Sequence, residues 1–196
     1  MPVQKVSLDY IIRQSLKVFR KKGYHNTSME DLADACGLKK GSLYHYFKGE
    51  KGDNSNKGKL GMMKAVIKYL HDYYRQEAFV HAYDKKLGAE QRLRILGSIA
   101  EEHYFASDSG CLFGNLALEA AGSHGELEEL VKAFFVDFIS ALTVIFEERF
   151  EPKIAAEYAE QSLAEIEGAV MMMRVFDKRD YLIKAHQQIL KRFRKG

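Results

Sequence analysis

The segment Thr27–Phe47, TSMEDLADACGLKKGSLYHYF, predicts two short helices joined by a tight turn. Thr27 is followed three residues later by Glu30, the spacing of a capping box, so a helix is expected to begin here. Ala33 is small where two helices would cross, and Gly37 lies in the turn, where a positive φ favours glycine. The inward positions of both helices are filled by Leu32, Cys36, Leu38, Leu43 and Tyr46. Together these positions predict a helix-turn-helix.

The second helix presents a surface that suits a polyanion. Its lysines can meet phosphates, and its Ser, Tyr and His side chains can reach phosphates or base edges. Glycine, which lacks a Cβ, allows a close approach of the backbone. The residues on this outward face are Lys39, Lys40, Gly41, Ser42, Tyr44 and His45. A solvated helix face explains poorly why lysines and aromatics share it.

Charge is unevenly spread along the chain of 196 residues, whose net charge is +3. Residues 1–60 hold 12 Lys and Arg against 6 Asp and Glu, whereas the remainder holds 18 against 21. A basic front and a mildly acidic back are typical of a nucleic-acid-binding segment joined to another module. Upstream of the helix-turn-helix, Ser7–Lys22 predicts an amphipathic helix with Leu8, Ile11, Ile12, Leu16 and Phe19 on its buried stripe.

The string KVFRKKGYHNTSMEDLADACGLKKGSLYHYFK, residues 17–48, resembles the DNA-binding domain of the TetR family of bacterial transcriptional regulators. The resemblance implies a homodimer that places residues 39–46 in the major groove of double-stranded operator DNA with a palindromic sequence. It also implies phosphate contacts from Thr27 and Ser28. Backbone or base contacts would come from Tyr44 together with Tyr46 or His45, and Lys59 would anchor a further phosphate.

An insert of nine residues, Glu50–Gly58 or EKGDNSNKG, departs from this family pattern. It is rich in Gly, Asn and Lys and almost free of apolar groups, so a mobile loop is expected. Lys51 and Lys57 either add DNA contacts or extend away from the DNA. The insert also weakens the expectation that Lys59 keeps its usual place. We therefore predict a DNA-binding domain over residues 1–59 with a flexible insert at 50–58.

Residues 60–196 predict a larger helical domain for effector binding and dimerisation. Apolar periodicity and turn signals predict helices over 60–83, 89–107, 126–150, 153–176 and 181–193. A turn is expected at residues 108–110, and the string after it resembles the start of a further helix in a subgroup of this family. The chain is therefore expected to be all-α, with a three-helix DNA-binding domain and about nine helices in total. The helix over 60–83 would link the two domains.

Cys111 lies in GCLFGNLALE, residues 110–119, which resembles the NemR-like subgroup of this family, where such a cysteine senses electrophiles and reactive chlorine species. A thiol at a helix N-terminus has its thiolate favoured by the helix dipole. The alternative is that Cys111 only packs at the helix start. No catalytic base is evident by spacing, so no catalytic residues and no enzyme are predicted.

Four aromatic side chains are candidates for a pocket that binds an apolar or aromatic effector: Tyr73, Tyr104, Phe113 and Phe138. Many aromatics in this module must be ordinary core. Gly168, Ala169, Met172 and Val175 form a seam of small and flexible residues that suits a four-helix dimer interface. The same seam could instead close the core of one subunit.

Two cysteines, Cys36 and Cys111, cannot form a disulfide framework and lack zinc-ligand spacing, so neither a metal nor a cofactor is expected. Cys36 is expected in the core. No leader and no apolar run of about 18 residues is present, which favours a cytoplasmic protein without membrane contact.

The function predicted is a repressor that an effector or an electrophile releases from DNA. Three alternatives stay open. The protein could be an activator, in which the same coupling changes the affinity for DNA in the opposite direction, a cysteine-dependent enzyme using Cys111, or a nonspecific DNA-binding protein.

Overall fold

A computed structural model describes residues 6–50, 53–106, 110–121 and 125–195, and these ranges are almost entirely helical. The amino-terminal part holds helices α1 (Leu8–Lys22), α2 (Met29–Ala35) and α3 (Lys40–Tyr46), followed by strands β1 (Lys48–Glu50) and β2 (Asp53–Lys57). Helix α4 (Gly58–Tyr74) continues through a π-helical turn, Arg75–Phe79, into a last α-helical turn, Val80–Ala82. The remaining helices are α5 (Ala89–Phe105), α6 (Leu112–Ala120), α7 (Gly125–Phe146), α8 (Pro152–Phe176) and α9 (Asp180–Arg194). The all-α prediction is confirmed, with nine helices in the described ranges.

The predicted helices end close to where the sequence placed them. The helix predicted to reach residue 150 ends at Phe146, and turn hydrogen bonds such as Arg149 N to Phe146 O carry the chain to Pro152. The helix predicted to reach Ser107 ends at Phe105, and Ser107 lies outside the described residues. None of the helices in the described ranges combines the length and apolar character that a membrane span requires.

The insert over 50–58 is not the loop without secondary structure that its composition predicted. Strands β1 and β2 pair antiparallel, with Lys48 opposite Lys57 and Glu50 opposite Asp53, and an irregularity lies between the two pairs. The Gly58 N–H donates to Phe47 O at 3.0 Å and closes the base of this hairpin. Main-chain pairing does not need apolar side chains, which is why composition alone missed it.

The chain divides into two compact units. The first comprises Met1–Leu70 and Asn115–Val131, and the second His71–Gly114 and Lys132–Gly196. The division differs from the predicted boundary at residue 59, because most of α4, residues 58–70, belongs to the first unit. Within that unit, the Ser15 hydroxyl contacts Met62 Sδ at 2.8 Å, and Met62, Met63, Val66 and Ile67 are buried.

Ser7 caps the start of α1 with a side chain that accepts a hydrogen bond from Tyr10 N, and Gly23 follows the last helical residue with φ +76°. Its buried face is narrower than predicted. Ile11, Ser15 and Phe19 are buried at a spacing of four residues, whereas Leu8, predicted to be inside, is 48% exposed. The buried face of α1 is therefore centred on Ser15, a small polar residue whose hydroxyl donates a hydrogen bond to Ile11 O.

Aromatic packing dominates the core of the second unit. The Phe113 and Phe134 rings stack with centroids 3.6 Å apart and an interplanar angle of 3°. Phe79, from the π-helical turn, packs against Phe134 and Phe138. On the same turn, the Arg75 Nε donates to Asp137 Oδ2 at 2.6 Å, and His71 Nε2 lies 2.8 Å from the same oxygen.

Candidate DNA interface

The start of α2 is fixed by a capping box one residue later than predicted. The Ser28 hydroxyl accepts from Asp31 N at 3.1 Å, and the Asp31 carboxylate accepts from Ser28 N at 2.9 Å. Lys22 Nζ lies 2.6 Å from the same carboxylate. Hydrogen bonds from Lys22 and from the backbone and side chain of Ser28 lower the pKa of Asp31 to about 2. The predicted pairing of Thr27 with Glu30 is therefore wrong, since Ser28 and Asp31 form the capping box instead.

Thr27 lies inside the first unit. Its side chain is buried, and its hydroxyl donates to Gly23 O at 2.6 Å. This arrangement ties α2 to the end of α1 and leaves Ser28 exposed at the surface. Of the two residues expected to contact phosphate here, the structure therefore presents the Ser28 side chain and not that of Thr27.

The turn between α2 and α3 has the predicted geometry. Gly37 adopts φ +66°, a conformation that favours glycine, and Leu38 N donates to Ala33 O at 2.9 Å as the chain leaves α2. Leu43 is fully buried and Phe47 nearly so, which anchors the inner side of α3. Cys36 is also buried, and burial raises the pKa of its thiol, as expected of a core residue.

The outer side of α3 is open to solvent. Lys40 Nζ lies 3.7 Å from Glu30 Oε2, and both side chains are more than half exposed, so this ion pair is weak. Ser42 is half-buried. The residues exposed on α3 and at its start are Lys39, Lys40, Gly41, Tyr44, His45 and Tyr46.

Tyr46 does not occupy the inward position predicted for it. It is 37% exposed, and its hydroxyl donates to Val6 O at 2.9 Å, which places the ring along the surface next to the start of α1. Tyr44 is equally exposed and lies near Gly58, where a Cβ would come within 3.2 Å of the Tyr44 ring. The base of the hairpin therefore adjoins the exposed face of α3.

The hairpin adds positive charge at this point. Lys48 and Lys57 lie opposite each other in the ladder, and both are exposed. Like charges opposite each other weaken a strand pair unless an anion lies nearby. Lys51, the other lysine expected to add contacts, lies outside the described residues.

Lys59 makes contacts within the first unit. Its Nζ donates to Tyr24 O at 3.0 Å and lies 4.5 Å from the centroid of the Tyr24 ring. Burial lowers the pKa of Lys59 below its usual value. The ammonium group thus joins the start of α4 to the end of α1, and its expected phosphate contact stays a prediction.

Glu119, on α6, was missed by the sequence reasoning. Its Oε2 accepts from Tyr24 N at 2.7 Å and from His25 N at 3.0 Å, and the His25 ring Nε2 lies 2.8 Å from Glu119 O. A Cβ at Gly23 would collide with the same carboxylate. No local signal reveals these contacts, because the partners are 94 and 95 residues apart.

Cys111 is buried directly before α6, and its Sγ accepts from Gly114 N at 3.4 Å. Burial, followed by the nearby Glu167 carboxyl, raises the pKa of Cys111 to about 12. The prediction that the helix N-terminus favours the thiolate is therefore wrong, because loss of hydration outweighs the helix dipole. A buried, protonated thiol also gives no support to the cysteine-enzyme alternative.

The four aromatics predicted to line an effector pocket lie in different surroundings. Tyr73 is 39% exposed. Tyr104 is buried, and burial raises its pKa well above the usual range. Phe113 is buried in its stack on Phe134. Phe138 lies on the wall of a cavity of about 240 Å³ in the second unit, and Tyr104 lines a different pocket of about 260 Å³.

The four residues predicted to form the dimerisation seam do not all lie on the exposed face of α8. Ala169 is buried in its own unit, whereas Val175 is 67% exposed. Gly168 has open space beside it, and Met172 is half-buried. Met171, which the sequence reasoning missed, is 60% exposed and lies between them on the helix surface. Ala169 therefore does not belong to the exposed surface of α8. The apolar strip that remains on this surface consists of Gly168, Met171, Met172 and Val175.

Comparison with known proteins agrees with this geometry. Residues 11–51 match the family described as bacterial regulatory proteins, tetR family, and residues 93–188 match the C-terminal domain of LmrA/YxaF-like transcriptional regulators. The regulator AcuR of Cereibacter sphaeroides is 33% identical over 113 residues, which cover 56% of this chain and 47% of AcuR. IcaR, the negative regulator of the biofilm operon in Staphylococcus aureus, is 40% identical over 43 residues, which cover 22% of this chain and 23% of IcaR.

These alignments thus span half or less of each of the two relatives. Among solved structures, a TetR regulator from Legionella pneumophila superposes with a TM-score of 0.81 at 19% identity, covering 96% of this chain and 97% of that one. At that identity the superposition shows the shared fold.

Proposed function

Since this chain belongs to the TetR family of bacterial regulatory proteins, we propose that it is a cytoplasmic transcriptional repressor that binds a palindromic operator as a homodimer. A small-molecule effector acting on the second unit would release it. The observation that carries the proposal is the outer face of α3, where lysine, tyrosine and histidine side chains stand exposed on a helix anchored from behind by Leu43.

The exposed face of α3 would enter the major groove. Tyr44 and His45 can reach base edges or phosphates, while Lys39 and Lys40 can neutralise phosphates. The hairpin would extend this surface along the backbone of the duplex. The repulsion between its paired lysines, Lys48 and Lys57, would be relieved by a phosphate lying across them.

Two copies would join through the exposed apolar strip of α8. Met171 and Met172 lie three and four residues after Gly168, and Val175 lies one further turn along, so the four share one face of that helix. Covering them with the same face of a second subunit would remove apolar surface from water and orient two copies of α3 for two half-sites. The similarity to IcaR, a negative regulator, supports the proposal of a repressor rather than an activator.

Helix α6 is the proposed route from effector to DNA. Its first residues, Leu112–Gly114, belong to the second unit, and its later residues, including Glu119, belong to the first. A displacement of α6 would pull on the backbone at Tyr24 and His25, and hence on the end of α1. Coupling of this kind between two sites is typically about 1–3 kcal/mol, which lowers affinity by about 5–150-fold.

The test is the salt dependence of operator binding. The purified protein first selects a palindromic duplex from a random pool, and binding is then measured between 50 and about 200 mM salt. Each phosphate contact contributes about 0.9 to the slope of log K against log salt. Lys39→Ala with Lys40→Ala removes two lysines from each subunit of the dimer, so it should reduce the slope by about 3.6. Lys132→Ala with Lys153→Ala, two exposed lysines of the second unit, is the matched control and should leave the slope unchanged.

An unchanged slope in the first double variant would contradict the assignment of α3 as the recognition helix. Tyr44→Ala should weaken binding to the selected duplex without changing the fold. Equal affinity for the selected duplex and for random duplexes would instead identify a nonspecific DNA-binding protein.

A further inference from the structure

The cavity of about 240 Å³ in the second unit is walled mostly by apolar side chains from α5, α7, α8 and α9. Leu96, Phe138, Leu142 and Ile166 are among these, and each is largely or fully buried. An engineered cavity of about 150 Å³ already holds benzene, so this space can hold a molecule of about ten non-hydrogen atoms. Its size and lining therefore suit a small apolar compound.

Five polar side chains also line the cavity, and only one of them is buried: His186 is buried, whereas Arg94, Ser98, Glu101 and Gln187 are half-buried or exposed. His186, on α9, is 8% exposed, and its Nδ1 lies 2.7 Å from Glu101 Oε1 on α5. Its Nε2 is buried and has no hydrogen-bond partner among the residues that the structure describes. The ring packs against the backbone of Gly97, where a Cβ would lie 3.4 Å from the imidazole, so that side offers it no partner.

The pair with Glu101 determines what Nε2 can do. A carboxylate only accepts hydrogen bonds, so Nδ1 carries the proton and donates it to Glu101. In the neutral imidazole, Nε2 then presents a lone pair and acts as an acceptor. A buried acceptor without a partner is costly, and a ligand that donates one hydrogen bond would remove that cost.

We propose that this cavity is the effector site and that it takes a compact apolar alcohol or phenol whose hydroxyl donates to His186 Nε2. The apolar body would fill the space between Leu96, Phe138 and Ile166, and Glu101 would hold the imidazole in the accepting tautomer. The regulatory role of this site rests on the function proposed above, whereas ligand binding itself can be measured without DNA.

The experiment is calorimetric titration of the full chain with 4-ethylphenol and with ethylbenzene, which differ only in the hydroxyl group. The protein should bind 4-ethylphenol at least tenfold more tightly than ethylbenzene. His186→Leu, which keeps the wall apolar, should lose at least tenfold in affinity for 4-ethylphenol and keep its affinity for ethylbenzene. His81→Leu, a histidine outside the cavity, is the matched control and should bind both probes like the parent.

A second variant keeps the test valid if His186→Leu does not fold, as judged by its thermal unfolding. Ala100→Leu places a larger side chain in the cavity wall and should abolish binding of both probes. Equal binding of both probes by the parent, or no binding of either, would overturn the proposal. So would a preference for 4-ethylbenzoate over 4-ethylphenol, because it would require Nε2 to donate.

Operator binding is measured in a separate experiment. The proposed ligand site and the proposed repressor function can therefore be refuted independently. If 4-ethylphenol binds through His186 but leaves the operator complex intact, the site stands as a ligand site and its role as effector site is refuted. If no operator is bound at all, the proposed function fails while the calorimetric result still decides the ligand chemistry.

Discussion

Glu119 offers a direct test of how α6 holds the DNA-binding unit together. The substitution Glu119→Ala removes the oxygen that accepts from Tyr24 N at 2.7 Å and His25 N at 3.0 Å. Both amides lie after α1 has ended at Lys22, outside the regular hydrogen bonds of the helix. The substitution should therefore loosen the end of α1 specifically.

The size of the effect follows from the exposure of the two amides. A hydrogen bond to a charged acceptor contributes about 1.5–3 kcal/mol, and less where water can replace it. The Tyr24 bond is partly buried and counts at about 2 kcal/mol, whereas the His25 bond is exposed and counts at well under 1 kcal/mol. Glu119→Ala should thus lower the free energy of unfolding of the first unit by about 2–3 kcal/mol.

Amide hydrogen exchange by NMR reads the two bonds individually, and denaturant unfolding reads their sum. In Glu119→Ala the Tyr24 amide should exchange much faster, by about thirtyfold for 2 kcal/mol, with a smaller change at His25. Glu119→Gln keeps an acceptor without the charge and should cost about half as much. The matched control is Leu118→Ala at the neighbouring position, which is 83% exposed and should change neither measurement.

Unchanged exchange at Tyr24 in Glu119→Ala would refute the reasoning. The same result would remove the proposed route by which α6 acts on the end of α1. Equal acceleration at many amides of the first unit would point to general unfolding and would also contradict a local anchor.

Four further outcomes are expected. With a pKa of about 12, on the order of one Cys111 thiol in ten thousand is ionised at pH 8, so iodoacetamide should label it only after unfolding; labelling of the native protein at the rate of a free thiol would contradict its burial. Ser28→Ala should cost about 1 kcal/mol in denaturant unfolding by removing the α2 cap. Since the folded pKa of Asp31 is depressed from 3.8 to about 2, its stabilising effect is complete above pH 3.8 and disappears as the pH falls through 2, so Asp31→Asn should flatten acid unfolding in that window. Val175→Asp should yield monomers in light scattering, and an unchanged dimer mass would exclude the α8 strip as the interface.

The helix-turn-helix was predictable because its signals are local. Apolar spacing, the glycine in the turn and the hydroxyl before α2 act through contacts within a few residues of each other. The error at Tyr46 came from a contact with Val6 O, 40 residues away, whereas the error at Thr27 involves contacts as short as those that were predicted correctly. Thr27 was taken as the cap because its spacing to Glu30 fits, yet its hydroxyl is held by Gly23 O and the capping role falls to Ser28.

The amino-acid sequence by itself determined the all-α class, the position of the helix-turn-helix and the family, since these depend on periodicity and short-range motifs. Tertiary structure alone decided the state of the side chains that would sense a signal. A helix N-terminus favours a thiolate at Cys111, but packing removed the water on which that charge depends and raised the pKa to about 12. Burial likewise left His186 Nε2 without a partner, because the hydration and the contacts of a side chain depend on residues far away in the sequence.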